Sequence, residues 1–336
     1  MKTNIGIIGI GTYIPKGRVT AKEISDYTKG RWSEDAVISK LGVIEKPRPT
    51  DEEGSMFMGV EAAKEALIDA KLDAKDLDLI IWFGEEWKEY PLATAALFVQ
   101  GKLGATNAWG YDMQNRCASF LTALKIAKDQ MIADDSLNTV MIVGGYRNID
   151  LIDYMDPNMS FIYDVSAGAG ACILKKGHNR NIILETHHIA DGTLAETCVV
   201  EIGGQKNLVN KDNLVEAFKF RMLDPILMKN RLGEVSLPNW YKCIDVSLEK
   251  SGFSRNDIGY LGILHMKRSA HEAILDELNL TEKNTTYLEH YGHVGQIDPI
   301  LSYQLGLKNK KIKPGTVVCL LAAGLGYIWS STIIKC

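Results

Sequence analysis

Tyr111-Asp112-Met113-Gln114-Asn115-Arg116-Cys117-Ala118-Ser119-Phe120 is the stretch from which the fold and the chemistry are read. Phe120, Leu124, Ala127 and Met131 follow at spacings of four, three and four, which predicts a helix starting at or just before Cys117. A thiol at a helix N-terminus meets unpaired N–H groups and a partial positive charge, which favour thiolate. Two imidazoles answer it far downstream: His265, after an apolar run, and His293 in Tyr291-Gly292-His293. A thiol with two imidazoles suits an acyl-enzyme followed by a carbanion-forming half-reaction.

Outward from that stretch, the chain alternates strands and helices. Asn4–Ile10 is an apolar β-run, and Val60, Ala63, Leu67 and Ala70 mark a helix. Asp78–Phe83 reads as a second strand, Phe120–Met131 as a helix, and Thr139–Val143 as a third strand ending at Gly144-Gly145. Continuous rather than alternating apolar strands predict an α/β fold with helices on both faces of the sheet.

The pattern then repeats. Asn4-Ile5-Gly6-Ile7 is answered by Asn181-Ile182-Ile183-Leu184, an offset of 177 (181 − 4). Thr139-Val140-Met141-Ile142 is answered by Thr316-Val317-Val318-Cys319, again 177 (316 − 139). Asp76–Ile80 resembles Asp257–Leu261 at an offset of 181 (257 − 76). Three matches in one order at nearly one offset predict two related halves, residues 1–176 and 177–336. Gly192–Leu237 interrupts the second half with mixed, charged sequence and no clear strand. It reads as an insertion at about residues 192–237, either a helical cover over a substrate channel or a surface excursion.

Composition narrows the class. Apolar residues at 46% and charged residues at 24% are ordinary for a globular protein. A net charge of −4 argues against nucleic acid as the main partner, since phosphate backbones want a basic surface. No cationic leader with a long apolar run is seen, and no apolar run approaches a membrane span, so a cytoplasmic location is expected. The six cysteines are scattered without metal-like spacing, so reduced thiols and no metal are expected.

Taken together, these pieces resemble the thiolase superfamily, closest to β-ketoacyl-acyl-carrier-protein synthase III and its relative hydroxymethylglutaryl-CoA synthase. The resemblance is carried by Gly9–Pro15, Lys40–Lys46, the Cys117 motif, Asp164–Ala171 and Ala322–Trp329. It implies a five-layered αβαβα sandwich of two related halves, the first carrying the nucleophile and the second both histidines. It implies that Cys117 takes an acyl group from an acyl-CoA and passes it to a decarboxylating malonyl thioester, giving a β-ketoacyl thioester. The oxyanion hole would be the N–H of Cys117 and one from the turn Gly324-Leu325-Gly326. His265, in Leu264-His265-Met266-Lys267, would donate to the enolate of the second substrate. The resemblance implies no permanently bound cofactor, a homodimer, and CoA or acyl carrier protein as thioester carrier.

Several positions depart from the pattern. Synthase III enzymes usually carry asparagine where His293 stands; histidine there resembles the Cys-His-His set of the elongating synthases. Unlike an amide, it can take a proton. Gln296 and Asp298 beside it are also unusual, and Asp298 is placed to orient an imidazole. Glu85 and Glu86 lie where hydroxymethylglutaryl-CoA synthase has its general base. Tyr90 matches an aromatic that lines the partner subunit's acyl pocket. In the arm that would hold carrier phosphates, Lys40 replaces an arginine and Ala36 a tryptophan. Arg31 and Trp32 lie a helical turn away, and Lys267 and Arg268 flank His265. His187, His188, His271 and His290 have no motif support. Three rivals to decarboxylative condensation follow. One is a non-decarboxylative reaction with Glu85 or Glu86 as base, one is acyl transfer or hydrolysis on Cys117, and one is a non-catalytic partner of an active condensing subunit.

Overall fold

The computed structural model describes residues 3–336. The first half runs β1 (Ile5–Tyr13), β2 (Gly17–Thr20), α1 (Ala21–Tyr27), α2 (Glu34–Ala36), β3 (Glu45–Arg48) and α3 (Ser55–Ala70). It continues through β4 (Leu79–Trp82), α4 (Ala95–Leu103), β5 (Trp109–Asp112), α5 (Ser119–Ala133), β6 (Thr139–Tyr146) and β7 (Gly168–Lys176). The second half runs β8 (Ile182–Ala190), β9 (Cys198–Val200), β10 (Phe220–Met222), α6 (Pro225–Ser251) and β11 (Ile258–Ile263). It closes with α7 (Arg268–Glu277), α8 (Asp298–Lys308), β12 (Val317–Gly324) and β13 (Ile328–Lys335).

Nine strands line up in the order β11-β12-β13-β8-β1-β7-β6-β4-β5. At the middle, β1 meets β8 through one register pair, Gly6 with Ile182. On either side the order mirrors itself. β1, β7, β6 and β4 stand in the places of β8, β13, β12 and β11. The sequence matches at offsets 177 and 181 fall on β1/β8, β6/β12 and β4/β11. Helices α5 and α8 each touch strands of both groups, α3 and α4 cover the outer face of the first, and α6 covers that of the second. This is the five-layered α/β sandwich of two related halves; we place their boundary in the turn between β7 and β8.

Local sequence explains the layers. A helix held between two sheets must be apolar on more than one side. In α5, Phe120, Leu121, Leu124 and Met131 are buried together with the small Ser119, Ala123 and Ala127. On β1, glycines let α3 lie almost on the strand: a Cβ at Gly11 would come within 2.1 Å of the Ala62 carbonyl oxygen, and one at Gly9 within 2.4 Å of that of Ala66.

Two expectations need correction. Cys117 is not in the helix: α5 opens at Ser119, and Cys117 lies on the turn before it. The preceding Arg116 has φ 51°, a left-handed conformation that breaks the helix there. Residues 192–237 are also neither strandless nor purely helical. β9 and β10 pair as an antiparallel ribbon, and α6 starts inside the segment at Pro225, capped by Asp224 accepting from the Leu227 N–H at 2.8 Å. The segment leans on the loop after β4, where the Trp87 and Phe218 rings lie 5.4 Å apart. Ribbons this short carry little periodicity, which is why the pattern missed them.

Two histidines without motif support, the buried His271 and the half-buried His188, set an acid limit. Burial lowers the imidazoles of His188 and His271 from 6.5 to about 4, helped by Lys125 near the first and His265 near the second. Both therefore fold neutral, while the unfolded chain takes up protons below about 6.5. Their contribution is complete above that pH and is lost as pH falls towards 4. Urea midpoints are expected to fall over this window, and His188→Asn to flatten part of the fall. A midpoint that holds level between pH 7 and 5 would contradict this.

Candidate active site

The site forms where the turn before α5 meets the loop between α7 and α8. Cys117 is 9% exposed, and its Sγ lies 3.3 Å from Nε2 of His293. On the far side of that ring, Nδ1 lies 2.6 Å from Oδ2 of Asp298. A carboxylate oxygen can only accept, so Nδ1 carries the proton and donates it to Asp298. Nε2 is left to take the thiol proton. Asp298 is fully buried at the start of α8. Its oxygens also accept from the backbone N–H groups of Val294 and His265, each at 2.8 Å. The result is a Cys-His-Asp relay, thiol to imidazole to carboxylate.

The backbone of His293 is fixed as firmly as its ring. Its N–H donates to the Asp164 carbonyl, and its carbonyl accepts from the Ser166 N–H, both at 2.9 Å. Burial alone would lower its pKa. The Asp298 carboxylate, then Cys117, outweigh that and hold the imidazole well above its ordinary value. The imidazolium is thus the favoured partner of a thiolate. Acylation removes the sulfur's charge and with it one of the two supports, which returns Nε2 towards the base form.

Cys117 is steered by charge on its other side. Arg116 donates to Glu85 at 2.9 Å and to Glu86 at 2.6 Å, and this pairing holds its left-handed backbone in place, a conformation costing about 1–2 kcal/mol. Glu85 is buried and Glu86 exposed. Burial raises the pKa of Glu85, while Arg116 and, less strongly, His293 pull it back. The Gly324-Leu325-Gly326 turn abuts the nucleophile: a Cβ at Gly324 would come within 3.0 Å of Cys117 N and of the Asn115 carbonyl oxygen. Only glycine allows this approach.

His265 departs from its expected place. Its side chain is fully buried, with Nδ1 2.8 Å from Oδ2 of Asp164 and Nε2 3.2 Å from the Gly42 carbonyl oxygen. Both partners are acceptors: Nδ1 donates to Asp164, and Nε2, without a proton in the neutral ring, only lies against the Gly42 carbonyl, so the ring has no N–H left for a substrate. The structure joins His265 to the centre through its backbone N–H on Asp298 rather than through its imidazole. The reason is Asp164, which sequence left without a role and which draws the ring inward.

Other expected positions are scattered. Tyr90 is 68% exposed on its loop. Lys40 and Lys267 are exposed. Arg31 donates to the Thr28 and Tyr154 carbonyls, and Trp32 sets its edge against Tyr163 at 6.3 Å. Arg268 pairs with Glu289 and lies 4.3 Å over the Tyr287 ring. Gly168-Ala169-Gly170 is packing: a Cβ at Gly170 would strike Ile300.

Three contributors besides Asp164 had no assigned role. Arg116 sat beside the nucleophile in the motif itself. Lys46, fully buried, donates to the Tyr163 and Val165 carbonyls at 2.7 and 2.6 Å and so clamps Asp164 from both sides. Burial lowers its pKa to about 7. Between Glu45 and Pro47 it looks like an ordinary surface lysine. Tyr146, buried at the end of β6, brings its ring to 6.1 Å from that of His293. Among the other cysteines, burial pushes the thiols of Cys198, Cys243 and Cys319 up to about 12, which leaves them inert beside Cys117. Among the described residues no cluster of His, Cys, Asp or Glu is arranged for a metal, and no helix is long and apolar enough to cross a membrane.

Comparison with known proteins bears on the family and the fold. The family model 3-oxoacyl-(acyl-carrier-protein) synthase III matches residues 111–192, and its C-terminal model matches residues 248–336. The β-ketoacyl-(acyl-carrier-protein) synthase III of Clostridium botulinum (strain Loch Maree / Type A3) is 30% identical over 98% of this chain and 99% of its own. That of Aquifex aeolicus (strain VF5) is 26% identical over 98% of both chains. The crystal structure of the Aquifex aeolicus 3-oxoacyl-(acyl-carrier-protein) synthase III has the same fold, with a TM-score of 0.81 over 99% of this chain and 100% of that one at 23% identity.

The relay makes one sharp demand. Asp298→Asn removes the main support of the His293 imidazolium, so alkylation of Cys117 by iodoacetamide at neutral pH should slow about tenfold or more. An unchanged rate in a folded variant would remove Asp298 from the relay.

Proposed function

This chain belongs to the 3-oxoacyl-(acyl-carrier-protein) synthase III family of acyl-transferring condensing enzymes, and on that footing we propose a ping-pong reaction centred on Cys117. The thiolate attacks an acyl-CoA, the Cys117 N–H and the Gly324–Gly326 turn receive the oxyanion, and CoA leaves with a proton from His293. A malonyl thioester then enters and loses carbon dioxide. Its enolate attacks the acyl carbon, and the thiolate departs, leaving a β-ketoacyl thioester. The observation that carries this reading is the Cys117–His293 contact at 3.3 Å, backed by Asp298 at 2.6 Å. In this scheme His293, which takes a proton from water at Nε2 once CoA has left, donates to the enolate oxygen, while His265 gives its Nδ1 proton to Asp164. His265 then acts as a positioning residue.

The carrier would be CoA or acyl carrier protein, its phosphates met by the exposed Lys40 and Lys267 with Arg31, Trp32 and Arg268 alongside. We place the enzyme in the cytoplasm as a homodimer, with the exposed Tyr90 reaching the partner's acyl pocket. No permanently bound cofactor is called for.

A second reading is favoured by Glu85. A buried carboxylate with a raised pKa, within charge reach of His293, suits a general base that takes a proton from an acetyl group. That would give the non-decarboxylative condensation of hydroxymethylglutaryl-CoA synthase. Its salt bridge to Arg116 counts the other way, by holding the carboxylate charged and occupied.

Intact mass measurement decides between these. Incubation with acyl-CoAs should add one acyl group, absent in Cys117→Ala, and malonyl-CoA should remove it with release of a β-keto product. If instead the acetylated enzyme ignores malonyl-CoA and condenses with acetoacetyl-CoA, with Glu85→Gln slowing that step about 10²–10⁴-fold, the glutamate reading stands. If no thioester acylates the protein, it is a non-catalytic partner.

A further inference from the structure

We propose that the Cys117–His293–Asp298 relay also hands its acyl group to an O–H nucleophile, so that the enzyme has an oxygen-acyltransfer activity besides carbon–carbon bond formation. The inference rests on the acyl-Cys117 reading above and goes beyond it.

The argument starts from what each half-reaction requires. A decarboxylating malonyl thioester generates its own carbanion, so the second half of the condensation needs N–H donors near the enolate oxygen and no base. This site is built the other way round. Of the two imidazoles, His265 gives its Nδ1 proton to Asp164 and turns an unprotonated Nε2 to the Gly42 carbonyl, so it has no N–H to offer an enolate. His293 alone faces the reacting sulfur. It is oriented as a base would be, with Nδ1 on a fully buried carboxylate at 2.6 Å and Nε2 on the thiol at 3.3 Å. An amide at this position could donate to an enolate equally well. It could not accept a proton.

The carboxylate is also more than a bystander. Asp298 receives His293 Nδ1 together with the Val294 and His265 N–H groups, which fixes the ring's tautomer and its direction. Such triads serve acyl transfer through an oxygen or nitrogen acceptor on unrelated folds. The pair is not sealed off: the His293 side chain is 14% exposed and Cys117 9%.

The step balances on these residues. The acceptor oxygen forms a bond to the acyl carbon as its proton passes to His293 Nε2. The tetrahedral oxyanion rests on the Cys117 N–H and the Gly324–Gly326 turn. The carbon–sulfur bond then breaks, and the thiolate is left beside the His293 imidazolium, which is the resting pair. With water the product is a carboxylic acid, and with an alcohol it is an ester.

The test loads the full-length wild-type enzyme with acetyl-, hexanoyl- or decanoyl-CoA and follows the acyl-enzyme by intact mass. It is then split between ¹⁸O-water alone, water with ethanol, and malonyl-CoA. The expected result is decay of the acyl-enzyme without malonyl-CoA, to ¹⁸O-labelled acid if water is the acceptor or to ethyl ester if a hydroxyl is. His293→Asn should slow this decay about 10²–10³-fold and slow condensation by less, so that the ratio of the two products moves. Asp298→Asn should move the ratio in the same direction; as it also removes backbone contacts, His293→Asn and the wild-type product analysis carry the decision if it fails to fold. An acyl-enzyme that persists in water and ethanol and is cleared only by malonyl-CoA overturns the inference and leaves the condensation reading intact. Equal losses of both activities in His293→Asn overturn it too. Failure of every thioester to acylate Cys117 overturns both.

Discussion

The buried carboxylate of Asp298 is the point on which the site depends. Three N–H groups converge on its two oxygens: the His293 ring, the His293–Val294 turn and the backbone of His265. These come from two different loops of the second half, one after β11 and one before α8. A charge taken out of water is tolerated only when its acceptor capacity is met, and withdrawing one partner of such a buried group costs about 3–5 kcal/mol. The same requirement that keeps the carboxylate in the fold therefore fixes the direction of the imidazole. Stability and chemistry draw on one set of hydrogen bonds.

A buried lysine supports the site as well. Among the described residues Lys46 has no carboxylate at hydrogen-bond distance, and it clamps the carbonyls on either side of Asp164. Asp164 then does two jobs: its carbonyl holds the His293 backbone, and its side chain turns His265 inward. Opposite, Arg116 holds Glu85 and Glu86 and keeps the turn before Cys117 in a conformation that α5 alone would not adopt. The thiol thus lies between two ion-pair systems, one acting through His293 and one through the backbone. This division explains why Cys117 can be both rigidly placed and close to a proton acceptor.

Two halves of one pattern make the arrangement possible. The nucleophile enters from the first half, on the turn that feeds α5, and the relay enters from the second, on the loop that feeds α8. Because α5 and α8 share the central layer, their starting turns meet. The Gly324 turn closes the group from the end of β12, where a side chain would collide with the Cys117 backbone. The ribbon β9/β10 and the start of α6 are additions to this plan: Arg221 of β10 pairs with Asp153 at 2.9 Å, Arg231 of α6 with Asp191 at 2.7 Å, and Phe218 beside the ribbon lies 5.4 Å from the Trp87 ring.

The sequence alone determined the class of fold and the nucleophile. Strand runs, the helical spacing after Cys117 and the repeat at offsets 177 and 181 are local or periodic signals, and local signals survive without coordinates. Asp298 too was legible as a partner for an imidazole, because it stands five residues from His293 on one loop. Tertiary structure decided the rest. Which of two histidines faces the thiol depends on Asp164, 101 residues from His265, and on a lysine, Lys46, that is indistinguishable in sequence from a surface residue. That Arg116 ties Glu85 and Glu86 together, about thirty residues before it, is again decided through space. Spacing fixes which side chains share an element. Only packing fixes which buried polar groups find each other, because each must satisfy its hydrogen bonds with whatever the fold brings alongside.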